Sequence, residues 1–422
     1  WTMDGVYPYK TLVKSYKHLS AHPKQWKFLY HLSNTRPYEI VMDFHSSLMC
    51  ERKIRKRMES YDPDVVVSVH PTMNNVPIIA TKKISRKKGK HIPFFTVVTD
   101  LGSGHCTWFH KDVTKMYIAS DRMRSLAKRR GRTPDESLVM SGLPIRHDFA
   151  VQAELMGDRT TSAGKTYQKT IRTELGIKNV DKQMILVMGG GEGVGNLSDI
   201  VNNLYKELTK QGVDATIYVV CGRNEQLKND LDSRDWDKVL NGDLEEGLSS
   251  ASKRQRLKKL FKRTHRSKEM EESLQRAADR EEAGEPHPRG QVDVVGLGFV
   301  TKMAEYMVAA DVLVSKAGPG TIAEAAAVGL PVMLTSFLPG QEAGNVDVVL
   351  DAGFGDYNDQ PEGIAAEVAC WLQDEKLLVT MSHATQEVSH PHAAQDIVLD
   401  IGSITHAWMQ LNRVTSAKSL SP

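Results

Sequence analysis

DVLVSKAGPGTIAEAAAVGLPVMLTSFLPGQEAGN, residues Asp311 to Asn345, contains the change of period that decides the fold. An apolar run, Val312 to Val314, breaks at Lys316-Ala317-Gly318-Pro319-Gly320. A small-residue helix is predicted from Thr321 to Val328, closed by Gly329 and Pro331, before a second strand from Val332 to Leu334. Strand, glycine turn, helix and strand make a βαβ unit. Glycine and proline ahead of a helix leave backbone N–H groups uncovered at its positive end, and Lys316 adds a formal charge there. A phosphate suits that place. The competing reading is a turn that needs glycine for geometry alone, with Thr321 and Glu324 as a T-x-x-E capping box.

The loop after the second strand, Leu338 to Asn345, holds Gln341, Glu342 and Asn345 among two glycines and a proline. In open α/β sheets ligands bind at the strands' carboxyl ends, and amides and carboxylates suit sugar hydroxyls. The pattern of a strand running into glycine recurs. Met184 to Met188 leads into Gly189, Gly190 and Gly191; Ile217 to Val220 into Cys221-Gly222-Arg223-Asn224; and Gln291 to Val295 towards Gly298-Phe299-Val300. These repeats predict one sheet with a continuous site along its carboxyl edge. The Gly189 turn fits G-x-G-x-x-G in no register, and it lacks the Lys-Ser/Thr ending of a P-loop.

In the first half, Glu51 to Ser60 reads as a charged helix and Val65 to Val69 as a strand ending at Ser68-Val69-His70. Asp62-Pro63-Asp64 reads as a turn, and no metal site is expected. The strand Phe94 to Thr99 leaves into Asp100, His105, Trp108 and His110, titratable groups on a loop at a sheet edge. Ile118 to Ser120 and Leu138 to Met140 give two more strands, and Ser141 to Arg146 closes the first domain. A guanidinium such as Arg146 suits a diphosphate through its forked donors, the alternative being a hinge residue paired with a carboxylate.

Lys316 to Glu324 together with Pro339 to Asn345, and the Asp100 to His110 segment with its Thr-Trp-Phe-His ending, resemble the monogalactosyldiacylglycerol synthases of glycosyltransferase family 28. The related peptidoglycan-precursor N-acetylglucosaminyltransferases are similar in architecture. The resemblance implies an α/β, GT-B-like fold of two Rossmann-like domains facing a cleft. It also implies inverting transfer of galactose from UDP-galactose to diacylglycerol, with no cofactor and no metal. It places Arg146, Gly190, Gly191, Gly222, Arg223, Asn224, Phe299, Val300, Lys316, Gly318, Pro319, Gly320, Thr321, Glu324, Gln341, Glu342 and Asn345 on the UDP-sugar. Lys316, the Gly318 to Thr321 turn and Arg146 would neutralise the diphosphate, Glu324 would hold the ribose, and Gln341 and Glu342 the galactose. The catalytic candidates on the acceptor side are His105 and Asp100, with Trp26, His70, Trp108 and His110 as acceptor or lipid contacts. Gly102, Ser103, Gly104 and Cys106 depart from the family's pattern. Its first strand and Gly-Gly-Gly-His loop, where the proposed base lies, are not in this sequence. The chain, opening on Trp1 with no signal or transit peptide, is therefore expected to be N-terminally truncated, with donor binding without turnover as an alternative to the transferase reading.

At 422 residues the chain predicts two domains: 1–150, then a polar linker over 151–170 and a second domain over 171–392. A charged insertion is expected near 232–290, solvated or disordered, and a C-terminal helix and tail over 393–422, packing back on the first domain. No run is long and apolar enough for a membrane span. The four cysteines have no metal or disulfide spacing and read as reduced thiols. Residues 1–150 carry 26 Lys+Arg against 13 Asp+Glu although the whole chain nets +3, which points to an anionic partner. From Tyr7 to Leu32 aromatic residues alternate with lysines, a pattern for anionic lipid headgroups or for a helix with one solvated face. The resemblance implies diacylglycerol and anionic membrane lipids as partners, no nucleic acid, a homodimer as an option, and a peripheral place at a plastid envelope. Competing functions are a transferase using UDP-glucose or UDP-N-acetylglucosamine, a UDP-sugar epimerase, and a non-catalytic lipid-binding protein.

Overall fold

The computed structural model describes residues 22–189, 197–245 and 288–419, with isolated positions at 11, 15, 19, 272 and 275. It separates into two compact units. One comprises Trp1–Ile145, Leu338–Asn345 and His392–Pro422; the other comprises Arg146–Phe337 and Val346–Pro391.

The first unit is built on a parallel sheet in the order β1 (Val66–Ser68), β2 (Phe94–Val97), β3 (Lys115–Ile118), β4 (Leu138–Met140). Residues of β2 and β3 alternate between two apolar layers, as a strand buried on both faces requires. Phe94, Met116 and Ile118 pack with Ile78, Trp108, Phe109 and Met123 on one side. On the other, Phe95, Val97 and Tyr117 meet Ile397, Ile401 and Ile404 of the helix Ala393–Ser419. That helix returns to the first unit as its sequence predicts. Asp400 fixes its position, accepting from Tyr117 Oη at 2.8 Å and Lys115 Nζ at 2.9 Å. The charged helix at Glu51 to Ser60 is the end of a longer one, Arg36–Ser60.

The second unit holds six parallel strands in the order β10 (Gly355–Tyr357), β9 (Val332–Leu334), β8 (Val312–Ser315), β5 (Gln183–Met188), β6 (Ala215–Val220), β7 (Val292–Leu297). Within this unit the strand order is 6-5-4-1-2-3, so the chain changes direction across the sheet between β5 and β8, which pair from Ile185↔Val312 to Met188↔Ser315. A doubly wound sheet binds its ligand outside the carboxyl ends at that switch. The strands leading there, Met-Ile-Leu-Val and Val-Leu-Val-Ser, are buried throughout. Both units are Rossmann-like, as the resemblance implies.

Two expectations are corrected. Residues 151–170 are not a linker, because the helices His147–Met156 and Ser162–Glu174 occupy most of them. Between the two helices Arg159 Nη2 donates to Val308 O at 2.8 Å and Ala310 O at 3.0 Å, and just past the span Arg172 Nε donates to Ala309 O at 2.8 Å, so both serve buried carbonyls. The charged insertion begins later than 232. Glu225–Ser233 and Trp236–Glu245 are helices whose sparse apolar residues fall at helical spacing, with Leu231 fully buried and the Trp236 ring 4.8 Å from that of Tyr205. Residues 246–271, 273–274 and 276–287 of the insertion, and most of the aromatic and basic front before His22, lie outside the described residues.

Candidate active site

In the second unit the carboxyl end of β8 delivers Lys316 and the turn before the helix Pro319–Ala327. The N-cap is Gly318, and no side chain caps the helix, so the capping-box reading of Thr321 and Glu324 is not what forms. Gly318 N–H folds back on Lys316 O at 2.8 Å, and Ile322 N–H donates to Gly318 O at 3.1 Å. Pro319 has no N–H, so the helix leaves the N–H groups of Gly320 and Thr321 as its orphan donors. A Cβ on Gly320 would meet nothing within 4 Å, and Lys316 Nζ lies 3.7 Å from where a Cβ on Gly318 would stand. An ammonium thus stands beside an open, positive helix start, an arrangement that favours an anion by about 0.3–1 kcal/mol per charge.

Glu324, one turn further, is buried and forms a bidentate pair with Arg146: Nε to Oε1 at 2.7 Å, Nη2 to Oε2 at 2.9 Å. The Arg146 guanidinium also lies 4.9 Å over the Phe149 ring. Hydrogen bonding to Glu324 raises the Arg146 pKa above its usual value. The hinge-type alternative for Arg146, pairing with a carboxylate, is therefore the state observed, and its partner, Glu324, is the residue predicted to hold the ribose. At the end of β6, Gly222 takes a left-handed φ of +60°, and Arg223 is exposed. Asn224 is instead an N-cap, its Oδ1 accepting from Leu227 N–H at 3.0 Å, which gives it a structural task the sequence did not reveal. After β7, Phe299 is 71% exposed and Val300 half-buried. Gly190 and Gly191 lie outside the described residues.

In the first unit the loop leaving β2 meets the Pro339 to Asn345 segment. Gly102 N–H donates to Asn345 Oδ1 at 2.8 Å, and Gly344 N–H to Ser103 Oγ at 2.7 Å. The two backbones pass so closely that a Cβ on Gly102 would lie 1.9 Å from Gly344 O. Asn345, 1% exposed and predicted on the UDP-sugar, is spent on this contact. Glu342 is also buried, its Oε2 accepting from Leu338 N–H at 2.8 Å, and Gln341 is half-buried beside it. Asp100 Oδ2 accepts the Trp108 indole N–H at 2.6 Å, and burial lifts its carboxyl to about 6, with Glu342 adding to the rise. His105 is held through both ring nitrogens, Nε2 with Ser33 Oγ at 3.0 Å and Nδ1 with Thr107 Oγ1 at 2.9 Å. Burial pushes it down to about 4, so it is neutral at pH 7.

The predicted lipid contacts fare differently. Trp108 is 1% exposed and belongs to the core, because its indole is needed to orient Asp100. His70 caps the turn Pro71–Met73 by accepting from Thr72 N–H at 3.3 Å, and His110 Nδ1 accepts from Asp112 N–H at 3.1 Å. Both are local loop bonds. Trp26 is half-buried, its ring 6.2 Å from that of Tyr30. Sequence reasoning missed Ser33 and Tyr30. The second packs edge-on to His105 at 5.4 Å, and a Cβ on Gly340 would come within 2.4 Å of its ring. The readable signal was the Pro339-Gly340 pair, whose glycine takes a left-handed φ and leaves room for an aromatic.

A family model described as monogalactosyldiacylglycerol (MGDG) synthase matches residues 1–145, and one described as the glycosyltransferase family 28 C-terminal domain matches residues 243–397. A probable monogalactosyldiacylglycerol synthase of Nicotiana tabacum is 32% identical over 410 residues, covering 95% of this chain and 63% of its own length. Monogalactosyldiacylglycerol synthase 3 of Arabidopsis thaliana is 30% identical over 418 residues, 97% of this chain and 74% of the relative. The chain belongs to the monogalactosyldiacylglycerol synthase family. Asp100 to His110 falls inside the first family match and Lys316 to Asn345 inside the second, while Arg146 and the Gly222 turn lie between them. The chain spans about 63% of the length of the tobacco synthase. Among solved structures, MurG of Acinetobacter baumannii has a TM-score of 0.51 at 14% identity, covering 85% of this chain and 80% of that one. It supports the GT-B-like fold alone.

Proposed function

We propose that the protein transfers galactose from UDP-galactose to 1,2-diacylglycerol with inversion at the anomeric carbon. The observation that carries this reading is the uncapped helix start at Gly318 to Thr321 beside Lys316, at the switch point of a doubly wound sheet, in a chain of the synthase family. The diphosphate would sit on the Gly320 and Thr321 N–H groups with Lys316, and Arg146 would add its forked donors. These cations answer the leaving group's charge without a resident metal. In the displacement the acceptor hydroxyl loses its proton to a base, its oxygen bonds to C1, and the C1–O bond to UDP breaks. Asp100, a half-buried carboxyl held at about 6, is the candidate base among the described residues. Gln341 and Glu342 are the candidates for the hexose hydroxyls.

Membrane association at a plastid envelope, through anionic lipids, is part of the same proposal. On the helix Arg36–Ser60, Ile40, Val41, Phe44 and Leu48 are 59–72% exposed, and the exposed Arg52, Lys53 and Lys56 follow. An apolar stripe next to basic residues suits a lipid surface, at about 1 kcal/mol per basic residue. No helix among the described residues is long and apolar enough to cross a membrane. UDP binding by calorimetry tests the donor half: Lys316→Ala is expected to weaken it ~10-fold. Equal affinity of the two proteins would contradict the assignment.

A further inference from the structure

Before any ligand arrives, the two side chains best suited to hold a nucleotide already satisfy each other. Arg146 gives Nε and Nη2 to Oε1 and Oε2 of Glu324, so each carboxylate oxygen already accepts from the guanidinium along the edge the arginine covers. The Glu324 side chain is 11% exposed and that of Arg146 55%, which places the carboxylate inside and the cation at the surface. Glu324 lies one helical turn from the open N–H groups of Gly320 and Thr321. A nucleoside diphosphate at this helix start brings vicinal ribose hydroxyls, which donate, and phosphate oxygens, which accept. A carboxylate can only accept and a guanidinium can only donate. The ribose therefore competes with Arg146 for Glu324, and the diphosphate competes with Glu324 for Arg146.

We propose that Arg146 and Glu324 are an exchange pair that makes ribose recognition conditional on a diphosphate. The phosphates draw Arg146 away and release Glu324 to the ribose. A nucleoside without phosphates must displace the arginine with nothing to offer it. The pair then selects UDP-sugars against uridine, and it rests on the nucleotide-sugar reading of this site.

Titrating wild-type protein and Arg146→Ala with uridine and with UDP tests the exchange. Removing the arginine is expected to tighten uridine ~5-fold, the value of a half-exposed pair, while weakening UDP ~10-fold. Salt gives the same test without a substitution. Raising NaCl screens the pair, so uridine tightens and UDP weakens in the wild type, and the uridine response disappears in Arg146→Ala. Uridine binding that is no tighter in Arg146→Ala than in wild type, including none detectable in either, overturns the exchange pair while UDP binding to the wild type keeps the nucleotide site. Wild-type protein that binds neither ligand overturns both.

Discussion

Asp100 shows what withdrawing a carboxyl from water costs, even half-buried. Its pKa of about 6 lies above the ordinary aspartate value of 3.8, chiefly through burial, so the native state keeps a proton that the unfolded chain has released. That contribution to stability is complete below about pH 4 and is lost as the pH rises through 6. Asp100→Asn, which still accepts from the Trp108 indole, is expected to stabilise the protein by ~1–2 kcal/mol at pH 7.5 and hardly at all at pH 4, read by urea unfolding at both values. If Asp100 is the base, the same variant loses transfer activity, a gain in stability against a loss of function. Gly340 carries a second prediction. Its φ of +85°, and a Tyr30 ring that a Cβ there would approach to 2.4 Å, leave no room for Gly340→Ala. That substitution should cost ~2 kcal/mol or more of stability, and Tyr30→Ala should relieve part of the cost in the double variant.

Elements were legible where period and punctuation agreed. β8, its glycine turn and the helix after it follow from Val312 to Val328, because apolar runs and Gly-Pro breaks are local signals. Local signals could not show that Glu324 would pair with Arg146, 178 positions away, rather than cap its own helix, or that Asn345 would turn from the sugar to Gly102. They also misread Arg159 as part of a polar linker, since a sequence does not show which carbonyls lie buried nearby. Trp108, placed on the acceptor side by the resemblance, is 1% exposed and donates its indole N–H to Asp100, a long-range environment no local signal shows. The helix Arg36–Ser60 makes the element-scale prediction. Phe44→Glu with Leu48→Glu should strip binding to anionic vesicles in a sedimentation assay and leave unfolding stability within ~0.5 kcal/mol, because both side chains are already in water.

At the scale of the whole molecule, neither unit is a continuous piece of chain. The first is completed by Leu338–Asn345 and by the C-terminal helix, whose Ile397 and Asp400 cover Phe95, Val97 and Tyr117. A chain of residues 1–145 alone would leave that sheet face in water. It should fail to unfold cooperatively in circular dichroism, and adding residues 392–419 as a peptide should restore a transition. The loop bearing Gln341 and Glu342 belongs by contact to the unit that holds Asp100 and His105, although the chain reaches it from β9 of the other. The central claim is sugar transfer. Its most direct test is incubation of the protein with radiolabelled UDP-galactose and diacylglycerol in anionic mixed micelles, beside Glu342→Ala and beside wild type given radiolabelled UDP-glucose in place of UDP-galactose. The account predicts a labelled monogalactosyl lipid, lost in Glu342→Ala and absent with UDP-glucose. No galactolipid from protein that binds UDP, or equal product from both proteins, would contradict it.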